Sequence, residues 1–227
     1  MPFSKLALSE DILNAVAEKG YVTPTPIQTE VIPAVFKRRD ILAVARTGTG
    51  KTAGYTLPML EILKKDQSKH AQLRALVLVP TRELARQVNE SINSYAQFLP
   101  IHSEVIYGGK KMAHQIAQMA KKPSILVATT GRLVEHLKQG NISLEHIEYL
   151  VLDEADIMLD MGFVKELEAL LQHVPKKHQT LLFSATLSKK VKKFTHDILK
   201  NPLHVELNRL GTVAPDLKQK IYLVDEE

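Results

Sequence analysis

The sequence contains no cysteine and no long apolar segment. Without cysteine, the 227-residue chain can form no disulfide, and a chain of this length buries enough surface to be stable without one. Its apolar runs are strand-sized, far below the ~18 residues that a membrane-spanning helix requires, and no leader-type apolar segment follows the N-terminus. Repeats and low-complexity tracts are also lacking. We therefore expect one globular core in the cytoplasm, away from membranes.

Basic residues are in slight excess, since 30 Lys and Arg against 25 Asp and Glu give a formal charge of +5. A balance of this size permits polyanion binding through steering and counterion release but does not establish it. Two lysine-rich clusters, at residues 176–178 and 189–193, are interpreted as solvated surface, because runs of charge usually are. Net charge therefore excludes little.

Strand-sized apolar runs alternate with longer amphipathic segments along the chain. Strands are predicted at residues 41–45, 75–79, 104–107, 125–128, 149–152 and 180–183, with a last one at 219–224. Helices are predicted at 51–63, 82–98, 112–119, 131–138, 164–171 and 189–199. Such alternation is typical of a parallel sheet covered on both faces. We predict an α/β fold with a mostly parallel central sheet, whose ligands collect at the carboxyl ends of the strands.

A phosphate-loop pattern follows the first predicted strand, with Ala45 where the first glycine usually stands. Gly48 and Gly50 allow backbone N–H groups to converge on phosphates at a helix N-terminus. Lys51 would then reach the β and γ phosphates, and Thr52 would ligate Mg²⁺. The candidate nucleotide-binding residues of this loop are Thr47, Gly48, Thr49, Gly50, Lys51 and Thr52.

Acidic residues follow the strand predicted at 149–152. Asp153 can hold Mg²⁺ directly or through water, while Glu154 activates the attacking water. In isolation the pair could equally be a solvated strand end or the N-cap region of a helix. Beside a phosphate loop, it predicts an ATP-hydrolysing site with Lys51, Asp153 and Glu154 as catalytic residues. Asp156, on the next turn, can link this site to another element.

The string D-E-A-D at residues 153–156 and the phosphate loop together resemble the DEAD-box family of RNA-dependent ATPases and helicases. Five further segments match family motifs in the family's order: the Q motif at 20–28 with Phe3 upstream, motif Ia at 80–85, motif GG at 108–109, motif Ib at 129–132 and motif III at 184–186. The match covers nearly the whole chain. It implies a RecA-like P-loop NTPase domain at 1–207, with the Q-motif region at 1–30, followed by a last strand and the start of an interdomain connector at 208–227.

In this family the Q motif reads adenine. The amide of Gln28 offers one donor and one acceptor, which suits the N6 and N7 atoms of adenine. The resemblance also implies that Tyr21 stacks on the base, and Phe3 occupies the upstream aromatic position. A plain alternative is a turn built from Pro24 and Pro26 with a surface Gln28.

Motifs Ia, GG and Ib grip the RNA sugar-phosphate backbone in this family. The resemblance transfers this role to Pro80, Thr81, Arg82, Gly108, Gly109, Thr129, Gly131 and Arg132. Contacts of this kind position a strand without reading its sequence. The plain alternatives are that Thr81 caps a helix and that the glycines serve turns.

Motif III is implied to couple the nucleotide and RNA sites through Ser184, Thr186 and Asp156. A local hydrogen bond to Asp156 would be the first step of that coupling. Two positions depart from the family pattern. Thr130 replaces the proline of motif Ib, so the fixed φ of proline is lost and the motif does not define the backbone geometry at Gly131 and Arg132. Ile157 stands where a polar residue is common.

The sequence shows no match to the arginine-rich motif with which the family's second RecA-like domain completes the active site. We therefore expect the N-terminal ATP-binding half of an RNA helicase, a monomer that binds Mg²⁺ with ATP or ADP. Its implied partners are RNA and a C-terminal RecA-like domain. Without an arginine finger, worth about 10³ to 10⁵ in turnover, hydrolysis should be slow. Two alternatives stay open: a nucleotide- or RNA-binding module without turnover, and another P-loop NTPase acting on DNA or a phosphate acceptor.

Overall fold

The computed structural model of the chain describes residues 1–66 and 71–207. Seven strands form one sheet in the spatial order β3-β4-β2-β5-β6-β1-β7, and the pairings between them are parallel. The strands are β1 (Ile41–Val44), β2 (Ala75–Val79), β3 (Ser103–Ile106), β4 (Ile125–Thr129), β5 (Tyr149–Leu152), β6 (Gln179–Ser184) and β7 (Leu203–Glu206).

Helices precede and connect the strands, after a short 3₁₀ turn at Phe3–Lys5. They are α1 (Glu10–Glu18), α2 (Pro26–Phe36), α3 (Lys51–Leu63), α4 (Arg82–Tyr95), α5 (Met112–Met119), α6 (Thr130–Lys138), α7 (Ala155–Asp160), α8 (Val164–Leu171) and α9 (Lys189–Ile198). In the part of the chain that the structure describes, no helix combines the length and apolarity that a membrane crossing needs.

The sheet buries apolar side chains on both of its faces. In β1, Ile41 and Ala43 belong to one core, whereas Leu42 and Val44 belong to the other, because successive strand residues point to opposite faces. Helices α1 to α4 complete the first core, and helices α6 to α9 complete the second. Burial on both sides explains why most strands read as uninterrupted apolar runs.

The predicted α/β class is confirmed, and six strands lie where the apolar runs predicted them, with ends shifted by at most one residue. The helix predicted at 82–98 is shorter and ends at Tyr95. Four observed elements are not predicted by the pattern: β7, α1, α2 and α7. The strand predicted at 219–224 lies outside the described residues.

The strand order brings the sequence motifs to one edge of the sheet. β6 pairs with both β1 and β5, so the segments that follow these three strands are neighbours. β2 lies between β4 and β5, and β3 pairs with β4. In a parallel sheet all of these carboxyl ends point the same way, so the phosphate loop, the acidic string and the remaining motifs lie at the same end of the sheet. We call this end, where the strands finish, the carboxyl edge.

Candidate active site

Lys51 opens α3 directly after the phosphate loop. Gly50 caps this helix at φ +89° and Gly48 lies at φ +85°, so both adopt a left-handed backbone that other residues disfavour. The Lys51 side chain is buried, with Nζ 3.9 Å from Oδ1 of Asp153 and no hydrogen-bond partner among the described residues. A buried ammonium with unmet donors at a helix N-terminus fits phosphate oxygens, so the loop suits a nucleotide.

Asp153 follows β5 with both carboxylate oxygens engaged. Oδ1 accepts the N–H of Glu154 at 3.0 Å, and Oδ2 accepts the hydroxyl of Tyr55 at 3.1 Å. Burial raises the pKa of the Asp153 carboxyl, and the nearby Lys51 ammonium opposes that rise. An oriented carboxylate beside the phosphate loop, with the hydroxyl of Thr52 in the same cleft, provides the oxygen donors that Mg²⁺ prefers.

Glu154 caps α7 with a left-handed backbone, at φ +54°. Burial raises the pKa of its carboxyl, and the charge of Asp153 raises it further. A carboxylate of raised pKa accepts a proton more readily, which suits a group that activates water. The environment of Glu154 is therefore compatible with the predicted role.

A cleft of about 570 Å³ joins these residues to the N-terminal segment, and this volume is in the usual range for small-molecule sites. Its lining includes all but one of the predicted catalytic and nucleotide-binding residues: Phe3, Tyr21, Gln28, Thr47, Gly48, Gly50, Lys51, Thr52, Asp153 and Glu154. The exception is Thr49, whose hydroxyl donates to the carbonyl of Arg46 at 2.8 Å within the loop.

Gln28 is a buried residue of α2 rather than a surface residue of a turn, so the plain alternative is wrong. Its Oε1 accepts the N–H of Thr25 at 2.9 Å in a capping box, and its Nε2 donates to the carbonyl of Gly50 at 3.1 Å. The side-chain amide thus ties the start of α2 to the phosphate loop. One N–H and one lone pair of the amide stay available for a base, with the half-exposed Tyr21 in the same cleft.

The predicted coupling residues are in direct contact. The N–H and the hydroxyl of Thr186 both donate to Oδ2 of Asp156 at 3.0 Å. The hydroxyl of Ser184, at the end of β6, donates to the carbonyl of Thr186 at 2.6 Å. These bonds connect α7, which follows the acidic string, to the segment after β6.

Two arginines predicted to contact RNA converge on the loop after β3. The guanidinium of Arg82 packs so closely on Gly109 that a side chain at this glycine would collide with it, and it also lies beside Gly108. Nη1 of Arg132 donates to the carbonyl of Lys110 at 2.9 Å. Three motifs separated in the sequence therefore form one polar surface. We call this surface, which consists of Arg82, Gly108, Gly109, Lys110 and Arg132, the arginine edge.

The other predicted RNA-contacting residues occupy varied positions. Thr81 does cap α4, because its hydroxyl accepts the N–H of Leu84 at 3.2 Å. Pro80 is buried, Thr129 is half-buried and Gly131 is exposed. Thr130 is the first residue of α6, where a proline is also tolerated, so the departure from the family pattern leaves the helix start intact.

A buried polar cluster that the sequence does not reveal lies beneath the arginine edge. Gln115 is fully buried, and its Nε2 donates to the carbonyl of Tyr107 at 2.8 Å. Its Oε1 faces Nη1 of Arg132 at 3.3 Å and Nε2 of His136 at 2.9 Å. His136 is equally buried, so it is an interior residue that packs, and no local pattern marks either side chain as part of a cluster.

A second cleft, of about 660 Å³, lies at the opposite edge of the sheet, where β5 and β6 begin. Its lining includes Arg38, which forms an ion pair with Glu148 at 3.6 Å. Its lining residues include neither a phosphate loop nor the N-terminus of a helix. The predicted catalytic and nucleotide-binding residues therefore line the other cleft, at the carboxyl edge.

Comparison with known proteins agrees with these motifs. Residues 25–194 match the family described as DEAD/DEAH box helicase. The chain is 38% identical over 225 residues to the ATP-dependent RNA helicase DbpA of Bacillus subtilis (strain 168), which covers 99% of this chain and 46% of that protein. It is 40% identical over 223 residues to the ATP-dependent RNA helicase DeaD of Escherichia coli (strain K12), covering 98% of this chain and 35% of that protein.

The fold also matches a solved structure. The crystal structure of a DEAD box protein from the hyperthermophile Methanococcus jannaschii aligns with a TM-score of 0.85 at 38% identity, over 91% of this chain and 56% of that one. The chain thus spans between about a third and slightly over half of the length of these relatives. Because the family match covers most of the sequence, the chain belongs to the DEAD/DEAH box helicase family.

Proposed function

We propose that this chain is the N-terminal ATP-binding domain of an ATP-dependent RNA helicase. It would bind Mg²⁺ with ATP or ADP in the cleft at the carboxyl edge and the RNA backbone at the arginine edge. The observation that carries the proposal is the Lys51 ammonium, which is buried at a helix N-terminus with no hydrogen-bond partner among the described residues. Burying such a charge is costly unless a ligand completes its hydrogen bonds, and phosphate oxygens can do so.

The residues of the cleft divide the work on ATP. Lys51 and the N–H groups of the phosphate loop bind the β and γ phosphates and neutralise their charge. Glu154 orients the attacking water and accepts its proton, helped by the raised pKa of its carboxyl. Asp153 and Thr52 would hold Mg²⁺, which would neutralise charge at the phosphates. The amide of Gln28 would select adenine, and the ring of Tyr21 would stack on the base.

The arginine edge offers positive charge without a sequence code. Arg82 packs on Gly108 and Gly109, Arg132 binds the carbonyl of Lys110 in the same loop, and guanidinium groups suit phosphate oxygens. RNA bound there would lie across the ends of β2, β3 and β4, next to the strands that carry the nucleotide site. The bonds between Thr186 and Asp156 link the segments that follow β6 and β5, beside the nucleotide site, and we infer that coupling to bound RNA begins there.

A second domain is part of the proposal. The chain matches 46% of the length of one relative and 35% of another, each described as an ATP-dependent RNA helicase. We infer a domain at residues 1–207, with 208–227 leading toward a C-terminal RecA-like domain. An arginine contributed by that domain is worth about 10³ to 10⁵ in turnover, so this chain alone should bind nucleotide but hydrolyse it slowly.

The test measures ATP hydrolysis with and without single-stranded RNA, using this chain alone and this chain joined to a C-terminal domain of the family. Glu154→Gln is the active-site variant. Glu168→Gln, which makes the same change at an exposed position of α8, is the matched control. Single-stranded DNA in place of RNA distinguishes an RNA helicase from a DNA-directed NTPase.

We expect RNA to stimulate only the joined protein, Glu154→Gln to abolish this stimulation and Glu168→Gln to leave it unchanged. Brisk hydrolysis by the chain alone would contradict the proposed dependence on a second domain. Nucleotide binding without hydrolysis in the joined protein would instead favour a binding module.

A further inference from the structure

The hydroxyl of Tyr55 makes a buried contact with the acidic string. Tyr55 lies on α3 four residues after Lys51, so both side chains are on the same face of the helix. It is fully buried, and its hydroxyl donates to Oδ2 of Asp153 at 3.1 Å, across 98 residues of sequence. On the other side of the carboxylate, Oδ1 accepts the N–H of Glu154 at 3.0 Å. The carboxylate is therefore held at both oxygens.

The ring and the hydroxyl of Tyr55 have separate contacts. The ring packs on Phe183 of β6, with centroids 5.2 Å apart and planes inclined by 51°. A phenylalanine would keep this ring contact and the volume of the core. Only the hydroxyl reaches Asp153, so its contribution can be tested with no loss of packing.

We propose that Tyr55 is a positioning residue, whose hydroxyl fixes the Asp153 carboxylate in the orientation that binds the divalent cation of a nucleotide. The inference rests on the proposed function, since it concerns the cation that accompanies ADP or ATP. Hydrogen bonds to a ligating carboxylate orient it, and removing such a partner typically weakens metal binding about 10- to 100-fold. Here the N–H of Glu154 still holds the other oxygen, so the lower end of that range is expected.

Tyr149→Phe provides a matched control for Tyr55→Phe. Tyr149 is also fully buried, at the start of β5, and its hydroxyl has no hydrogen-bond partner among the described residues. Its ring contacts the guanidinium of Arg38 at 4.7 Å, a contact that phenylalanine retains. The two substitutions therefore remove the same buried group, but only one of these groups contacts the acidic string.

The experiment titrates Mg²⁺ into the intact chain and both variants in the presence of a fluorescent ADP analogue, with a parallel titration of the analogue in excess EDTA. Thermal unfolding without ligand establishes that each variant is folded. The Mg²⁺ midpoint reports the cation, whereas binding in EDTA reports the phosphate loop and base contacts alone. A purely structural role for Tyr55 would change both measurements together.

For Tyr55→Phe we expect the Mg²⁺ midpoint to rise about tenfold with unchanged binding in EDTA, and for Tyr149→Phe we expect no shift. A midpoint within twofold of the unmodified chain, or equal weakening with and without Mg²⁺, would overturn the inference while the proposed function stands. If the unmodified chain binds no ADP, both the proposed function and the inference are refuted.

Discussion

Replacing Gly50 with alanine should displace Gln28 and destabilise the chain before any nucleotide is added. A Cβ atom at Gly50 would lie 2.5 Å from Nε2 of Gln28 and 3.1 Å from the hydroxyl oxygen of Thr25. Because Gln28 is 3% exposed, it has little room to move without losing its bonds to Gly50 and Thr25. Each bond contributes about 1 kcal/mol, and the left-handed backbone costs alanine about 1 to 2 kcal/mol more.

Gly48→Ala separates these two effects. Gly48 has nearly the same φ, +85° against +89°, but its Cβ position is open. We therefore expect the free energy of unfolding to fall by about 1 to 2 kcal/mol for Gly48→Ala and by about 3 to 4 kcal/mol for Gly50→Ala. Urea unfolding of the nucleotide-free chain, followed by circular dichroism, measures both.

The same measurement in a Gln28→Ala background completes the test. With the glutamine shortened, a Cβ at Gly50 no longer displaces any hydrogen bond, so Gly50→Ala should cost only as much as Gly48→Ala. The difference between backgrounds is the coupling of the two residues, expected to be about 2 kcal/mol. Equal costs for Gly48→Ala and Gly50→Ala in the unmodified background would refute the described link between the Q motif and the phosphate loop.

Two further outcomes are expected. Thr186→Val removes the hydroxyl donor to Asp156 but keeps the N–H donor, so it should lower the free energy of unfolding by about 1 kcal/mol. Asp156→Ala loses both bonds and should lower it by about twice as much. Equal urea midpoints for the two variants would contradict this expectation. Burial lowers the pKa of His136, so the unfolded chain takes up its proton first as the pH falls below about 6.5. Urea unfolding should show stability falling between pH 7.5 and 5.5 by less in His136→Asn than in the unmodified chain, and identical falls would argue against a neutral, buried His136.

The strands were predictable because their physical cause is local. A strand buried on both faces reads as an apolar run, and β2 and β5 begin and end where the runs do. β7 was not predicted because it does not read as an apolar run. Within the described residues it lies at the edge of the sheet, and Val205 is buried while His204 and Glu206 are exposed. α2 was not predicted because it contains Pro26 and Pro33, and proline usually interrupts a helix, although a proline at the first helical position is well tolerated.

The candidate site was predictable only as far as motifs carry it. Spacing and strand order explain why Lys51 and Asp153 meet, since each follows a parallel strand of the same sheet. The contact of Tyr55 with Asp153 and the cluster of Gln115 with His136 depend on side-chain packing across 98 and 21 residues. Nothing local in the sequence marks these contacts, because tyrosine, glutamine and histidine are not unusual in a helix interior.

The left-handed backbone of Glu154 implies a conflict between stability and activity. At φ +54°, a glutamate is strained by about 1 kcal/mol relative to a residue that accepts this conformation, such as glycine. Glycine or asparagine at this position would relieve that strain. On the proposed role of Glu154 in activating water, such a variant should be more stable than the unmodified chain and should not hydrolyse ATP.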